Sequence, residues 1–168
     1  MNTVSRKRVL IVIAVLLLLF IVAGVCLFFF TFQEKKEHKQ DTVTPSMVTA
    51  KIIREMNYQD VTSLQEDQLT KYYNIPEGVL ADFSVCMSKS ANSGFELSCF
   101  ELADDNKFDA LQKSIADHVA SRSQGFKGAN PVEYQNILDS TVERKGRFVL
   151  LVICDDPQPA IKIFRSFV

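Results

Sequence analysis

A chain of 168 residues with a formal net charge of −1 has room for one modest domain and little more. Mean hydropathy is +0.06 although 23% of the residues are charged, so a very apolar segment must offset an ordinary polar domain. Residues 40–168 carry 13 Lys and Arg against 18 Asp and Glu, an acidic balance that argues against nucleic acid as a partner and against docking on anionic lipid through a basic patch.

The apolar segment is residues 9–32, which are 24 consecutive positions without a charge. A helix of that length spans about 36 Å, enough for a hydrocarbon core of about 30 Å with some tilt. The segment therefore predicts a transmembrane helix over 9–32 in contact with membrane lipid. Arg6, Lys7 and Arg8 abut its start, while Lys35, Lys36 and Lys39 follow its end, so the Lys and Arg count ties at three on each side. The compactness of the first cluster and the shortness of the tail place residues 1–8 in the cytoplasm as a basic tail. The remainder then lies outside, in a single-pass protein of the cell membrane. Cleaved signal peptides have apolar cores of roughly 7–15 residues followed by a small-x-small site, which this segment lacks. The alternative is a cleaved or lipidated exported protein modified at Cys26, although Val25 is a poor residue before a lipidated Cys and Leu27 to Phe30 continue the apolar run.

Residues 33–46 read as a polar stalk without a sustained apolar stripe. Residues 47–168 form the expected extracytoplasmic domain. Its first helix is capped by Thr44 or Ser46, with Pro45 at an early helical position and Val48, Ile52, Ile53 and Met56 as its stripe. A second helix is expected over 64–73, where Ser63 and Glu66 fit a capping box and Leu69, Tyr72 and Tyr73 face inward. Residues 79–88 alternate with period two, Ala91 to Gly94 is a turn cluster, and residues 95–102 return as a strand, which together predict a hairpin. A long helix follows over 106–123, with Phe108, Leu111, Ile115 and Val119 as its stripe, Asp104 and Asp105 before its start and Gly125 at its end.

Asn130, Pro131 and Glu133 then mark a short helix to about Leu138, with Asn as cap, Pro in the first turn and Glu reaching back. Residues 141–144 and 147–153 read as strands joined at Lys145-Gly146. The second of these is continuously apolar and is expected inside the sheet. Asp156-Pro157 opens a last helix bearing Ile161, Phe164 and Val168. The order ααββααββα predicts an α+β domain: an antiparallel sheet of about four strands covered by helices, preceded by one N-terminal transmembrane helix.

Few residues carry obvious chemistry. His38 falls in the stalk, and His118 is expected as a solvated side chain on the outer or boundary face of the long helix, near Asp117. No spacing suggests a metal site, no Gly-rich loop suggests a phosphate or other cofactor, and the Asp104-Asp105 and Asp155-Asp156 pairs are explained by capping. No catalytic, cofactor-binding or metal-binding residue is assigned. If Ser90 faces Phe95 across a four-residue turn, Cys86 lies opposite Cys99, a candidate cross-strand disulfide in a compartment that permits oxidation. The competing reading is that Cys86, Cys99 and Cys154 are unpaired small hydrophobes in or near the core.

The stretch Phe126-Lys127-Gly128-Ala129-Asn130-Pro131-Val132-Glu133-Tyr134, then Leu138, Val142, Lys145 to Val149 and Asp155-Asp156, resembles the domain of unknown function 4358 family. So do Ile52 to Met56, Leu69 to Tyr73 and Val85 to Ser88. The resemblance covers residues 47–168, and its motifs are caps, turns and apolar strands. It implies a Gram-positive bacterial protein held behind a signal anchor or a lipoprotein signal. It carries no residue role onto any position here.

The expected function is a non-enzymatic extracytoplasmic domain that binds a protein or a cell-envelope partner. The alternative is a thiol-dependent enzyme using Cys86, Cys99 or Cys154, with Lys89 and Arg147 as the nearby cations in sequence.

Overall fold

Thr44 stands in extended conformation and its hydroxyl accepts from Met47 N, which caps α1 (Pro45–Glu55) with Pro45 in the first turn. This is the first element of a computed structural model that describes residues 43–168. The basic tail 1–8, the membrane helix 9–32 and most of the stalk 33–46 lie outside the described residues. Among the described residues, no helix is long and apolar enough to cross a membrane.

The domain is α+β. After α1 come β1 (Val61–Ser63), α2 (Glu66–Tyr72), β2 (Leu80–Ser88), β3 (Glu96–Leu102), a 3₁₀ turn (Asp105–Lys107), α3 (Phe108–Phe126), α4 (Pro131–Leu138), β4 (Thr141–Lys145), β5 (Phe148–Ile153) and α5 (Gln158–Phe167). The sheet has five strands in the order β1-β2-β3-β5-β4, and every pairing is antiparallel. The expected four strands and five helices are all present. The added strand, β1, is three residues long and pairs with the last three residues of β2. Its sequence is too short for any periodicity to show.

Both faces of the sheet are covered. Phe83, Val85 and Met87 of β2, Phe100 and Leu102 of β3, and Val149, Leu151 and Ile153 of β5 pack beneath α2, α3 and α4 through Tyr73, Leu111, Ile115 and Ile137. On the opposite face, Leu97, Cys99, Leu150 and Val152 pack beneath α1 and α5 through Val48, Ile52, Ala160 and Phe164. This double coverage explains why β5 reads as an unbroken apolar run: alternate side chains enter different cores.

Several ends differ from expectation. Ser63 belongs to β1, and the capping box of α2 is made by Gln65 and Gln68. The long helix continues through Gly125 to Phe126, and the chain turns at Gly128, whose φ of 78° suits a residue without a Cβ. Asn130 caps α4 as expected by accepting from Glu133 N. The Glu133 side chain does not reach back; its Oε2 accepts from Gly94 N at 2.9 Å and so fastens the β2–β3 loop to α4.

The hairpin register corrects the expected cysteine pair. Cys86 faces Leu97 and Cys99 faces Ser84, two residues away from the register that would oppose the two cysteines. Cys86, Cys99 and Cys154 are all free thiols. The cause is the loop. It runs over residues 89–95 rather than four residues, because Ser88, Ser90 and Ser93 hydroxyls accept from Ser90 N, Asn92 N and Phe95 N and fold it internally. A shift of two preserves which side chains point to which face, so alternation cannot distinguish the two registers.

Candidate functional site: a buried carboxylate network and the cleft beside it

Glu96 opens the central strand on the face that carries Ser98, Phe100 and Leu102, and it is fully buried. An ionised carboxylate there needs partners on every side. Ser98 Oγ donates to its Oε1 at 2.8 Å, and Tyr73 Oη, delivered from the end of α2, donates to the same oxygen. His118 Nε2, from the middle of α3, meets Oε2 at 2.8 Å. Arg122, one turn further along α3, brings its Nε to 3.6 Å from Oε2. The Tyr73 ring stacks on the His118 ring with centroids 4.0 Å apart and meets Phe100 edge-on at 5.3 Å.

This overturns the expected placement of His118, which is only 5% exposed. Leu111, Ile115, His118 and Arg122 recur at helical spacing, so the ring turns inward with the apolar stripe. Its other nitrogen, Nδ1, lies 2.8 Å from the carbonyl oxygen of Tyr72, which can only accept. Nδ1 must therefore carry a hydrogen. The contact between Nε2 and Glu96 then needs a second proton, held on one side or the other. In both arrangements the Glu96–His118 pair has no net charge.

Burial by itself would push the Glu96 carboxyl up. The hydrogen bond and charge of His118, the bond from Tyr73 and the charge of Arg122 outweigh it and hold the group below the ordinary glutamate range. The Tyr73 hydroxyl moves the other way: burial and then the Glu96 charge push it well above the usual tyrosine value. The pair is thus arranged as a carboxylate ringed by donors, one of them a tyrosine that keeps its proton.

Arg122 is the member that reaches the surface. Its Nε is buried with no hydrogen-bond partner among the described residues, its Nη2 donates to Gly94 O at 3.4 Å, and its guanidinium lies 6.0 Å from the Phe126 ring centroid. Beside it opens a cleft of about 250 Å³ between β1, the β2–β3 loop and α3, lined by Ser88, Lys89, Ser90, Ser93 and Arg122 over a floor that includes Met87 and Phe126. A second, wider groove of about 570 Å³ lies along β2, with Leu69, Ile75 and Phe83 inside and Glu66, Glu77 and Asp82 around it.

The sequence singled out neither Glu96 nor Arg122. A signal existed for Glu96: it shares phase with Phe100 and Leu102 on a strand whose apolar residues occupy both phases. The thiols considered for chemistry are scattered. Cys99 is fully buried, and burial pushes its thiol far up; burial also raises Cys154. Cys86 points away from the face of Met87 and contacts Ser63 Oγ at 3.4 Å, whereas Lys89 lines the cleft on the Met87 side. Arg147 pairs with Glu101. Asp104 caps the 3₁₀ turn as expected, accepting from Asn106 N; Asp156 accepts from Gln158 N, but the cap position of α5 is held by Pro157, which has no side-chain hydrogen bond to give. Among the described residues, no group of His, Cys and carboxylates is placed to hold a metal ion.

Fold and site together define a two-faced α+β domain organised around a buried, donor-ringed glutamate. Residues 54–154, more than half of the chain, match the family described as domain of unknown function (DUF4358), and the chain belongs to that family. No curated protein and no solved structure matches it.

Proposed function

We propose that the protein is a single-pass membrane protein whose domain outside the cytoplasm is a non-enzymatic binding module for a protein or cell-envelope partner. The apolar run over 9–32 supports the anchor, and the basic cluster Arg6, Lys7 and Arg8 supports a cytoplasmic N terminus. The observation that carries the binding reading is the contrast between the buried network and its surroundings. Glu96 takes its donors from inside the domain, where they hold β3, α2 and α3 together, while the groups facing solvent line open clefts. A carboxylate committed to three internal donors serves the scaffold, and an open cleft rimmed by Lys89, Arg122 and serine hydroxyls offers a surface for recognition.

The test is crosslinking on intact cells, comparing the full chain with residues 1–46 fused to an unrelated domain. A neighbour recovered with the full chain and not with the fusion is the expected result. Identical neighbours from both would remove the binding reading.

A further inference from the structure

The cleft beside Arg122 has a chemistry unlike the rest of this acidic domain. Its charged lining residues are Lys89 and Arg122, and no carboxylate among the described residues lines it. Glu96, behind Arg122, does not cancel that charge. The Glu96–His118 pair already balances to zero wherever its proton sits, because His118 Nδ1 is committed to donating to Tyr72 O. The guanidinium charge is left over. Among the described residues its Nε has no hydrogen-bond partner and comes only to 3.6 Å from Glu96 Oε2, and the hydrogen bond from its Nη2 to Gly94 O is long at 3.4 Å. Two hydroxyls complete the rim. Ser90 and Ser93 each use Oγ to accept from a backbone N–H, at 3.3 and 3.2 Å, which leaves each hydroxyl hydrogen free to donate. The rim is therefore made of cations and donors, over a floor of Met87, Phe126 and Leu64.

We propose that this cleft binds a single oxyanion group, a carboxylate or a phosphate, held between Lys89 and Arg122 with the serine hydroxyls donating to it. The inference rests on the binding-module reading and names the ligand chemistry of one of its surfaces. Arg122 offers the planar fork that suits an oxyanion, and Lys89 adds a mobile point charge from the loop. A volume of about 250 Å³ has room for one such group and a small apolar body.

The experiment uses the full chain in maltoside micelles, which carry no phosphate. Acetate, inorganic phosphate and uncharged acetamide are titrated separately at constant ionic strength and followed by amide NMR. Saturable shifts with acetate or phosphate, centred on Lys89, Ser90, Ser93 and Arg122 and absent with acetamide, are expected. The anion that saturates at lower concentration identifies the source. Lys89→Gln changes an exposed loop residue and is expected to weaken that binding about tenfold while the remaining spectrum stays as in the parent. Shifts that never saturate with either anion, or an affinity unchanged by Lys89→Gln, overturn the proposal. A crosslinked neighbour without anion saturation removes the oxyanion site and leaves the binding module standing; anion saturation without a neighbour does the reverse.

Discussion

Glu96 shows how far one residue can depart from what its type suggests. A fully buried carboxylate in the middle of a small domain is costly unless charge and hydrogen bonds answer it, and here Tyr73, Ser98, His118 and Arg122 do so. Removing the charge leaves His118 and Arg122 facing an amide. Glu96→Gln is expected to destabilise the domain by about 3 kcal/mol, read from thermal or urea unfolding of the full chain in micelles. The same residue sets an acid limit. Its carboxyl is depressed in the folded state, so its stabilisation is complete above the unfolded glutamate value of about 4.3 and is lost as pH falls through the folded value. As pH falls below about 4.3 and through the lower folded value, the parent should lose stability more steeply than Glu96→Gln; equal slopes would show that other carboxylates govern the acid limb.

At the scale of elements, most of the domain was readable from local chemistry. Thr44, Asp104 and Asn130 cap as their side chains dictate, and Lys145-Gly146 turns between β4 and β5, with Gly146 at a φ of 58°. What escaped were features set by tertiary partners. β1 exists because β2 offers it an edge, and α3 runs past Gly125 because nothing there stops a helix before Gly128. His118 is buried on the same side of the helix as Leu111 and Ile115, a position that a stripe defined by apolar residue type passes over. The loop-to-helix joint was equally hidden. A Cβ at Gly94 would stand 3.0 Å from Glu133 Oε2 and from two carbons of Ile137. Gly94→Ala should therefore cost about 1–2 kcal/mol through overpacking, whereas Glu133→Ala should cost about 1 kcal/mol through the lost bond to Gly94 N. Unfolding midpoints of the two variants, alone and combined, would reveal that they share one contact if their effects fail to add.

For the whole molecule, the proposed anchor gives the clearest expectation. A chain held by residues 9–32 should remain with membranes through an alkaline carbonate wash, and protease added to intact cells should remove residues 47–168 while sparing the first residues. Replacing residues 9–32 with a cleavable signal sequence should release the domain to the medium. Retention of the domain inside the cell would reverse the proposed orientation.

The position of Glu96 also decides an ambiguity that the strands alone leave open. Sliding β3 by two residues against β2 would keep every side chain on its present face, shorten the loop, and bring Ser98 to where Glu96 now meets His118. The carboxylate works as an index mark: only one alignment of the hairpin gives the imidazole and the phenol their acceptor. The slipped alignment is also the one that sets Cys86 opposite Cys99. Glu96→Leu erases the mark, so mild oxidation should trap a Cys86–Cys99 bond in that variant and not in the parent, with the two thiols serving as reporters of hairpin alignment. If oxidation leaves both thiols free in the variant as well, the alignment is held by the pairing of β3 with β5 alone.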